Sequence, residues 1–273
     1  MHRDDVFPAM AGFPEAFTNV AEVPKNVKLL RLVSKAQHLP LLPELSQLER
    51  LWCFDLNAKS APIVGSLSSL RRLYVDGIRL EGVRALTGLT QLEVLSLERC
   101  TGVTSLAELA SFQGVKALGV THFPNVHSLK PLRQFGSLNA LVAAGGMWTR
   151  MTVESLAPLA LLRELRFLHL SNLKALDESL GPLAELSGLE ILELPNFYPV
   201  EEFARLSARL RKTKCTWFAS FIAMGASMLC PKCGHGSMVL LTGKGMPTLC
   251  SLCDEVRLKK HDDHFRNLAA RTA

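Results

Sequence analysis

Apolar residues recur in this chain at offsets 0, +3, +5 and +8, and the set itself returns every 21 to 27 residues. The clearest copies read Leu70, Leu73, Val75, Ile78, then Leu92, Leu95, Leu97, Cys100, then Val115, Leu118, Val120, Phe123. Two later ones are Leu165, Leu168, Leu170, Leu173 and Leu189, Leu192, Leu194, Phe197. Earlier copies begin at Val27 and Leu48, a weaker one at Leu138 and a degenerate one at Leu210. Leucine fills 50 of the 273 positions, so the apolar content is concentrated in one residue type, as a repeated unit requires. Offsets +3 and +5 differ by two and therefore face the same way on a strand. Between strands the spacing becomes three, as in Phe123, Val126, Leu129, Leu132, Phe135 and Leu138, which suits tight 3₁₀-like turns. Each unit thus offers a strand and a return segment with facing apolar sides, and neither is stable alone. Stacking the units buries one continuous core, at about 1.5–3 kcal/mol per fully buried large aliphatic side chain.

Nine such copies, over residues 27–218, resemble the leucine-rich repeat superfamily in the short-repeat form of bacterial internalin-like proteins. The resemblance implies an α/β solenoid with a parallel concave sheet and a convex side of 3₁₀ or short helical turns. The usual signature places Asn or Cys at offset +8. Cys100 fits, whereas Ile78, Phe123, Leu173 and Phe197 do not, and apolar packing is expected to replace an asparagine ladder at this corner. The open ends of a solenoid need covering. Residues 1–26, with Phe7, Phe13 and Phe17, are expected to cap the first strand. Trp217, Phe218, Phe221 and Ile222 are expected to cover the last repeat, with residues 219–229 as cap or linker.

Cys230-Pro-Lys-Cys233 and Cys250-Ser-Leu-Cys253 form two CxxC pairs separated by 16 residues. Four thiolates at this spacing match a tetrahedral zinc site. Between them, Thr242-Gly243-Lys244-Gly245 reads as a hairpin turn. Two knuckles joined by a hairpin resemble a zinc ribbon, here residues 230–256, and imply one structural zinc ion. Four protein ligands leave no coordination position for water or substrate. Residues 257–273 then read as a basic helical tail, with Asp254 as N-cap candidate and Val256, Phe265 and Leu268 available for packing. His261 and His264 are expected at the solvated surface, and Cys53, Cys100 and Cys215 as inert core thiols.

Offsets +2, +4 and +6 of each strand point away from the leucine core onto the concave side. Arg50, Trp52, Phe54, Arg72 and Tyr74 cluster there in the first repeats, and Arg, Trp and Tyr are the types enriched at interface hot spots. They form the candidate partner patch, unless the N-terminal segment folds over them. The long interval between Leu138 and Leu165 holds AAGGMWTRMTVE, whose extra residues are expected to emerge as a loop. Trp148 in that loop either anchors a partner or tucks back onto the scaffold.

No GxSxG, HExxH or GxGxxG pattern is present, and the Glu201-Glu202 pair reads as solvated charge, so no enzyme is expected and no small-molecule substrate. The start of the chain lacks an apolar run behind a basic end, and Thr216–Cys230 falls short of the roughly 20 residues of a membrane helix. Seven cysteines, four of them in CxxC pairs, suit a reducing compartment, so a cytoplasmic setting without membrane insertion is expected. From Arg205 onward 12 Lys+Arg face 4 Asp+Glu, against 19 and 21 before it. The expected function is protein recognition by the concave face. The alternative is a nucleic-acid adaptor using the basic ribbon end, although Lys244 is the only cation of the hairpin.

Overall fold

The computed structural model describes residues 14–272. The repeat strands stack side by side into one parallel sheet of nine. Its members are β1 (Phe17–Asn19), β2 (Leu29–Gln37), β3 (Arg50–Leu56), β4 (Arg72–Ile78), β5 (Val94–Glu98), β6 (Ala117–Thr121), β7 (Ala140–Ala144), β9 (Phe167–His169) and β11 (Ile191–Glu193), in chain order across the sheet. Lateral register places Leu51, Leu73, Leu95, Leu118, Leu141, Leu168 and Leu192 opposite one another, and all seven are buried. One apolar residue per repeat therefore builds a continuous column down the core. The expected α/β architecture, with a parallel sheet and short 3₁₀ turns opposite it, is what the chain adopts.

The three-residue spacing has a direct backbone counterpart. The N–H groups of Val126, Leu132, Phe135 and Leu138 donate to the carbonyls of Phe123, Leu129, Leu132 and Phe135 at 2.9–3.2 Å. Each bond spans three residues, as a 3₁₀ turn requires. Two return segments depart from this pattern: α1 (Ser60–Gly65) and α2 (Val200–Arg209) are α-helical. In α2, Glu202 is not solvated charge as expected from sequence. Its carboxylate accepts the Leu180 N–H at 2.6 Å and the Ser179 hydroxyl at 3.1 Å, capping the 3₁₀ segment Gly181–Glu185 of the preceding repeat. Glu108 caps Arg84–Leu86 the same way, through the N–H groups of Val83 and Arg84.

At the corner after each strand, Ile78, Cys100, Phe123 and Leu173 are buried, so apolar packing does replace an asparagine ladder. Phe197 is only half-buried, and the Arg150 guanidinium lies over its ring at 4.4 Å. The residue before this corner turns the chain in the left-handed region, at Asp55, Gly77, Arg99, His122 and Asn172. Of these five only Gly77 adopts it without steric cost. The others are held by the stack: Arg99 donates its N–H to Thr121 O at 3.1 Å, and His122 to Ala144 O at 2.8 Å.

A charge ladder that the leucine spacing does not reveal runs along offset +1. Its members are Lys28, Glu49, Arg71, Glu93, Lys116, Asn139, Arg166 and Glu190. Lys28 pairs with Glu49 at 3.5 Å, Arg71 with Glu93 at 2.9 Å and Arg166 with Glu190 at 3.6 Å.

The 27-residue interval does more than emit a loop. It adds β8 (Met151–Val153), which pairs in parallel with β10 (Leu173–Ala175) as a separate two-stranded sheet. Past the last full repeat, the degenerate copy at Leu210 contributes a single bridge, Ile191 to Lys214. α2 then closes the end of the core with Val200, Phe203, Ala204 and Leu206. The Trp217 indole N–H donates to Leu194 O at 2.8 Å. Phe7 and Phe13, assigned to an N-terminal cap, lie outside the described residues; Phe17 packs partly buried against the core.

The final helix, α3 (Glu255–Ala270), returns against α2 and sends Phe265 into the main core. Val256, expected to pack, is exposed instead, and Asp254 turns its side chain away from the helix end to accept the Cys250 N–H at 3.1 Å. His261 is buried rather than solvated. Its Nε2 lies 2.9 Å from Ser220 O, while Asp262 accepts the Ser220 hydroxyl at 2.6 Å. Tertiary contact overrides the expectation from helix composition here. Burial lowers the His261 pKa, with the nearby His264 adding to the effect and Ser220 and Asp262 opposing it.

The sign of the pH effect follows. A histidine kept neutral by folding contributes stability that is fully present above its unfolded pKa of about 6.5 and is lost as pH falls through its lower folded value. The melting temperature is expected to drop on acidification below that range, and less so in His261→Gln. Parallel melts of the two proteins check it; identical pH slopes would remove His261 from the account.

Candidate functional site

The ribbon is a three-stranded antiparallel sheet of β12 (Phe221–Ala223), β13 (Met238–Leu241) and β14 (Thr248–Cys250). β12 comes from the segment assigned to a cap or linker. Each CxxC closes a tight turn: Gly234 donates to Cys230 O and Asp254 to Cys250 O, both at 2.9 Å. Gly234 sits at φ +72°, a conformation glycine adopts without penalty. These turns aim amide groups at sulfur, with Lys232 N 3.4 Å from Cys230 Sγ and Cys253 N 3.4 Å from Cys250 Sγ. Such dipoles stabilise thiolates.

The four sulfurs of Cys230, Cys233, Cys250 and Cys253 all lie within 4.8 Å of one another, and Cys233 and Cys250 are 3.7 Å apart. A tetrahedron with metal–sulfur bonds of about 2.3 Å has edges of about 3.8 Å, so the cluster has the dimensions of a four-thiolate zinc site. The Ser237 hydroxyl at 3.0 Å, with the Cys253 and Leu252 amides, brings the Cys250 thiol down to about 6. A hydrogen bond with Cys233 holds the Cys253 thiol up to about 12. A bound dication would hold all four sulfurs as thiolates. The remaining cysteines are of another kind. Burial pushes the thiols of Cys53 and Cys100 up to about 12 and that of Cys215 up to about 11, leaving them inert at neutral pH.

The ribbon is bolted to the solenoid through residues that the repeat pattern did not single out. The Asn196 amide donates to Leu241 O at 3.0 Å and accepts the Gly243 N–H at 2.7 Å, reading the hairpin as a peptide would. Lys244 donates its backbone N–H to Tyr198 O at 2.7 Å, and its ammonium pairs with Glu178. The hairpin's one cation is therefore committed to an internal ion pair.

On the concave face, Arg50 is exposed and Trp52, Phe54 and Arg72 are half-buried. Trp52 stacks on Phe54 with ring centroids 6.4 Å apart and tilts against Tyr74 at 5.8 Å. Tyr74, expected to be exposed, is buried: it sits against Val94 and the apolar side chains of the middle strands. Phe54 borders a cavity of about 110 Å³ between the ends of β2 and β3. Trp148 stands alone in its loop. It is 91% exposed and its neighbour Met147 is 84% exposed. The loop itself is braced, with the Asn172 amide donating to Gly146 O at 2.7 Å. Gly146 lies so close to the His122 ring that a Cβ there would meet it at 2.8 Å. Trp148 thus does not tuck back, and Met147 joins it as an exposed apolar residue that sequence reasoning passed over.

No protein-family model matches the chain, and no curated protein matches it. Its architecture is that of the leucine-rich-repeat fold. Among solved structures it is similar to an internalin from Listeria monocytogenes, at 18% identity and a TM-score of 0.54, over 69% of this chain and 54% of that one. It is also similar to a leucine-rich-repeat protein from Leptospira interrogans, at 20% identity and a TM-score of 0.54, over 74% and 52%. The chain spans about half the length of each. Among the described residues no helix is long and apolar enough to cross a membrane.

Proposed function

We propose that this chain is a non-enzymatic module of a reducing, cytoplasmic setting that recognises a protein through its repeat scaffold, with one zinc ion holding the ribbon. The observation that carries the reading is the Met147–Trp148 pair, presented on a loop whose backbone is tied at its two ends to Ser171 and Asn172. Large apolar side chains held out in water on a rigid support are what interface anchors require. Arg50, Trp52, Phe54 and Arg72 supply a second contact area on the concave strands, with Tyr74 bracing Trp52 from beneath. When bound, zinc supplies a rigid cross-link between the two knuckles. The ribbon's hairpin, fixed by Asn196 and Tyr198, then holds the end of the solenoid closed.

The test is affinity capture from the native organism with the wild-type chain, Trp148→Ala, and Trp52→Ala combined with Arg72→Ala. Recovery of one protein is expected to fall at least tenfold in the variants, the equivalent of about 1.4 kcal/mol, with melting temperatures unchanged. Recovery that no variant lowers would refute the reading. The second reading is supported by a groove lined by Arg209, Arg211 and Lys212 without a carboxylate among its lining residues. Salt-sensitive retention on a polynucleotide, abolished by Arg211→Glu with Lys212→Glu, would assign the chain to nucleic acid instead.

A further inference from the structure

The residue that follows each left-handed turn fills the corner of its repeat. After Asp55, Gly77, Arg99, His122 and Asn172 it is Leu56, Ile78, Cys100, Phe123 and Leu173, all buried. In the first repeat the left-handed residue is Lys35, at φ +61°, and the buried residue after it is Ala36. Alanine is the smallest side chain of this series, and a close-packed interior relaxes only partly around missing volume. A cavity of about 110 Å³ lies at this corner. Ala36, Leu32, Leu39, Cys53 and Leu56 are among its walls, and α1 contributes Val64. Its mouth is charged. Lys35 and Arg79 also line the cavity and are exposed, so it reaches solvent. Asp55 lines it too, but its carboxylate is engaged: it accepts the Ser34 hydroxyl at 2.6 Å and meets the Arg79 guanidinium at 3.4 Å. Arg79 is held in place by its backbone N–H, which donates to Leu56 O at 2.8 Å. Two cations against one carboxylate leave the lining with a positive charge in excess.

We propose that this cavity is a binding site for a short aliphatic carboxylic acid, with its hydrocarbon end beside Ala36 and its carboxylate at Lys35. The site is separate from the protein-recognition reading and does not depend on it. Size sets the hydrocarbon. An apolar cavity of about 150 Å³ takes the six carbons of benzene, and by the same scale one of about 110 Å³ takes about four or five. Burial of those carbons supplies affinity, because apolar walls hold no ordered water that the ligand must replace. Charge sets the head group. The Asp55–Arg79 pair uses one cation of the mouth, and Lys35 supplies the other to an incoming anion. Few polar groups fixing the orientation of a mostly apolar ligand is the usual composition of a small-molecule site.

The test titrates the full chain with 3-methylbutanoate, which carries four carbons beyond its carboxylate, followed by calorimetry. Acetate lacks the hydrocarbon and 3-methylbutanamide lacks the charge. The wild-type chain is expected to bind 3-methylbutanoate saturably, at least tenfold more tightly than acetate and at least fivefold more tightly than the amide. Ala36→Leu, which fills the corner as the other repeats do, is expected to weaken binding at least tenfold while its melting temperature stays at or above that of the wild type. Should Ala36→Leu not fold, Leu39→Phe intrudes from another wall and is expected to show the same loss. Lys35→Gln, at an exposed position, is expected to bring the acid and the amide to equal affinity. No saturable binding at tens of millimolar, acetate binding as tightly as 3-methylbutanoate, or undiminished binding in the folded cavity-filling variant overturns the site. Equal affinity of acid and amide for the wild-type chain, or a preference for the acid that survives Lys35→Gln, overturns the role of Lys35.

Discussion

Leu95→Asp is expected to abolish cooperative folding, or to lower the melting temperature by more than about 10 °C for a chain of this size. Leu95 is fully buried in the middle of the leucine column, laterally paired with Leu73 and Leu118. An uncompensated carboxylate there has neither water nor a cation, and the effective penalty is several kcal/mol. Native domains have only about 5–15 kcal/mol in total. Repeat arrays also depend on nearest-neighbour contacts, so a break at the fourth interior strand separates two halves that each lose a stacking partner. Leu95→Met, nearly conserving volume, is the control and is expected to cost less than about 1.5 kcal/mol. Thermal melts followed by circular dichroism check both. An unchanged melt in Leu95→Asp would mean that the assigned register is wrong.

Metal removal is expected to be nearly as damaging, but locally. Mass spectrometry of the protein under non-denaturing, reducing conditions is expected to find one zinc per chain. Structural zinc contributes an apparent binding energy of about 10–16 kcal/mol, more than a three-stranded sheet with so small an apolar cluster can supply. The buried side chains of that cluster are Val239, Leu241 and Leu249. Chelation, or Cys233→Ser, is therefore expected to open the ribbon and raise the count of rapidly reacting thiols by up to four. The bonds from Asn196 and Tyr198 to the hairpin, and those from Ser220 to α3, are lost with it. Hydrogen exchange is then expected to quicken in residues 219–270 while β3 to β7 stay protected. A chain that carries no zinc and whose four thiols react like free cysteine would refute the site.

The parts legible in the sequence are those set by short-range spacing. Positions +3 and +5 lie on one strand, so Leu73 and Val75 announce their common burial without any tertiary information. The two CxxC pairs place their ligands three residues apart, and the Thr242–Gly245 turn does the rest. What escaped the sequence depends on segments distant in the chain. Whether His261 meets solvent is decided by Ser220, 41 residues away. Lys244 reads as a free cation until Glu178, 66 residues earlier, is brought beside it. Tyr74 has an interface residue's chemistry, yet its exposure is decided by the strands beside it. Val200, Phe203 and Leu206 keep the three-residue spacing although Val200–Arg209 is α-helical, so spacing alone does not separate an α from a 3₁₀ return segment.

The alternation of sign along offset +1 sets a parity rule on the length of the array. Lys28, Glu49, Arg71 and Glu93 are successive rungs, each facing its opposite. Excising one repeat from this stretch brings Lys28 against Arg71, or Glu49 against a second glutamate, and like charges directly opposed are unfavourable. Excising two restores the alternation. Growth or shrinkage of such an array by duplication is thus cheapest in steps of two, and the uncharged Asn139, which takes an acidic rung between Lys116 and Arg166, leaves that parity intact.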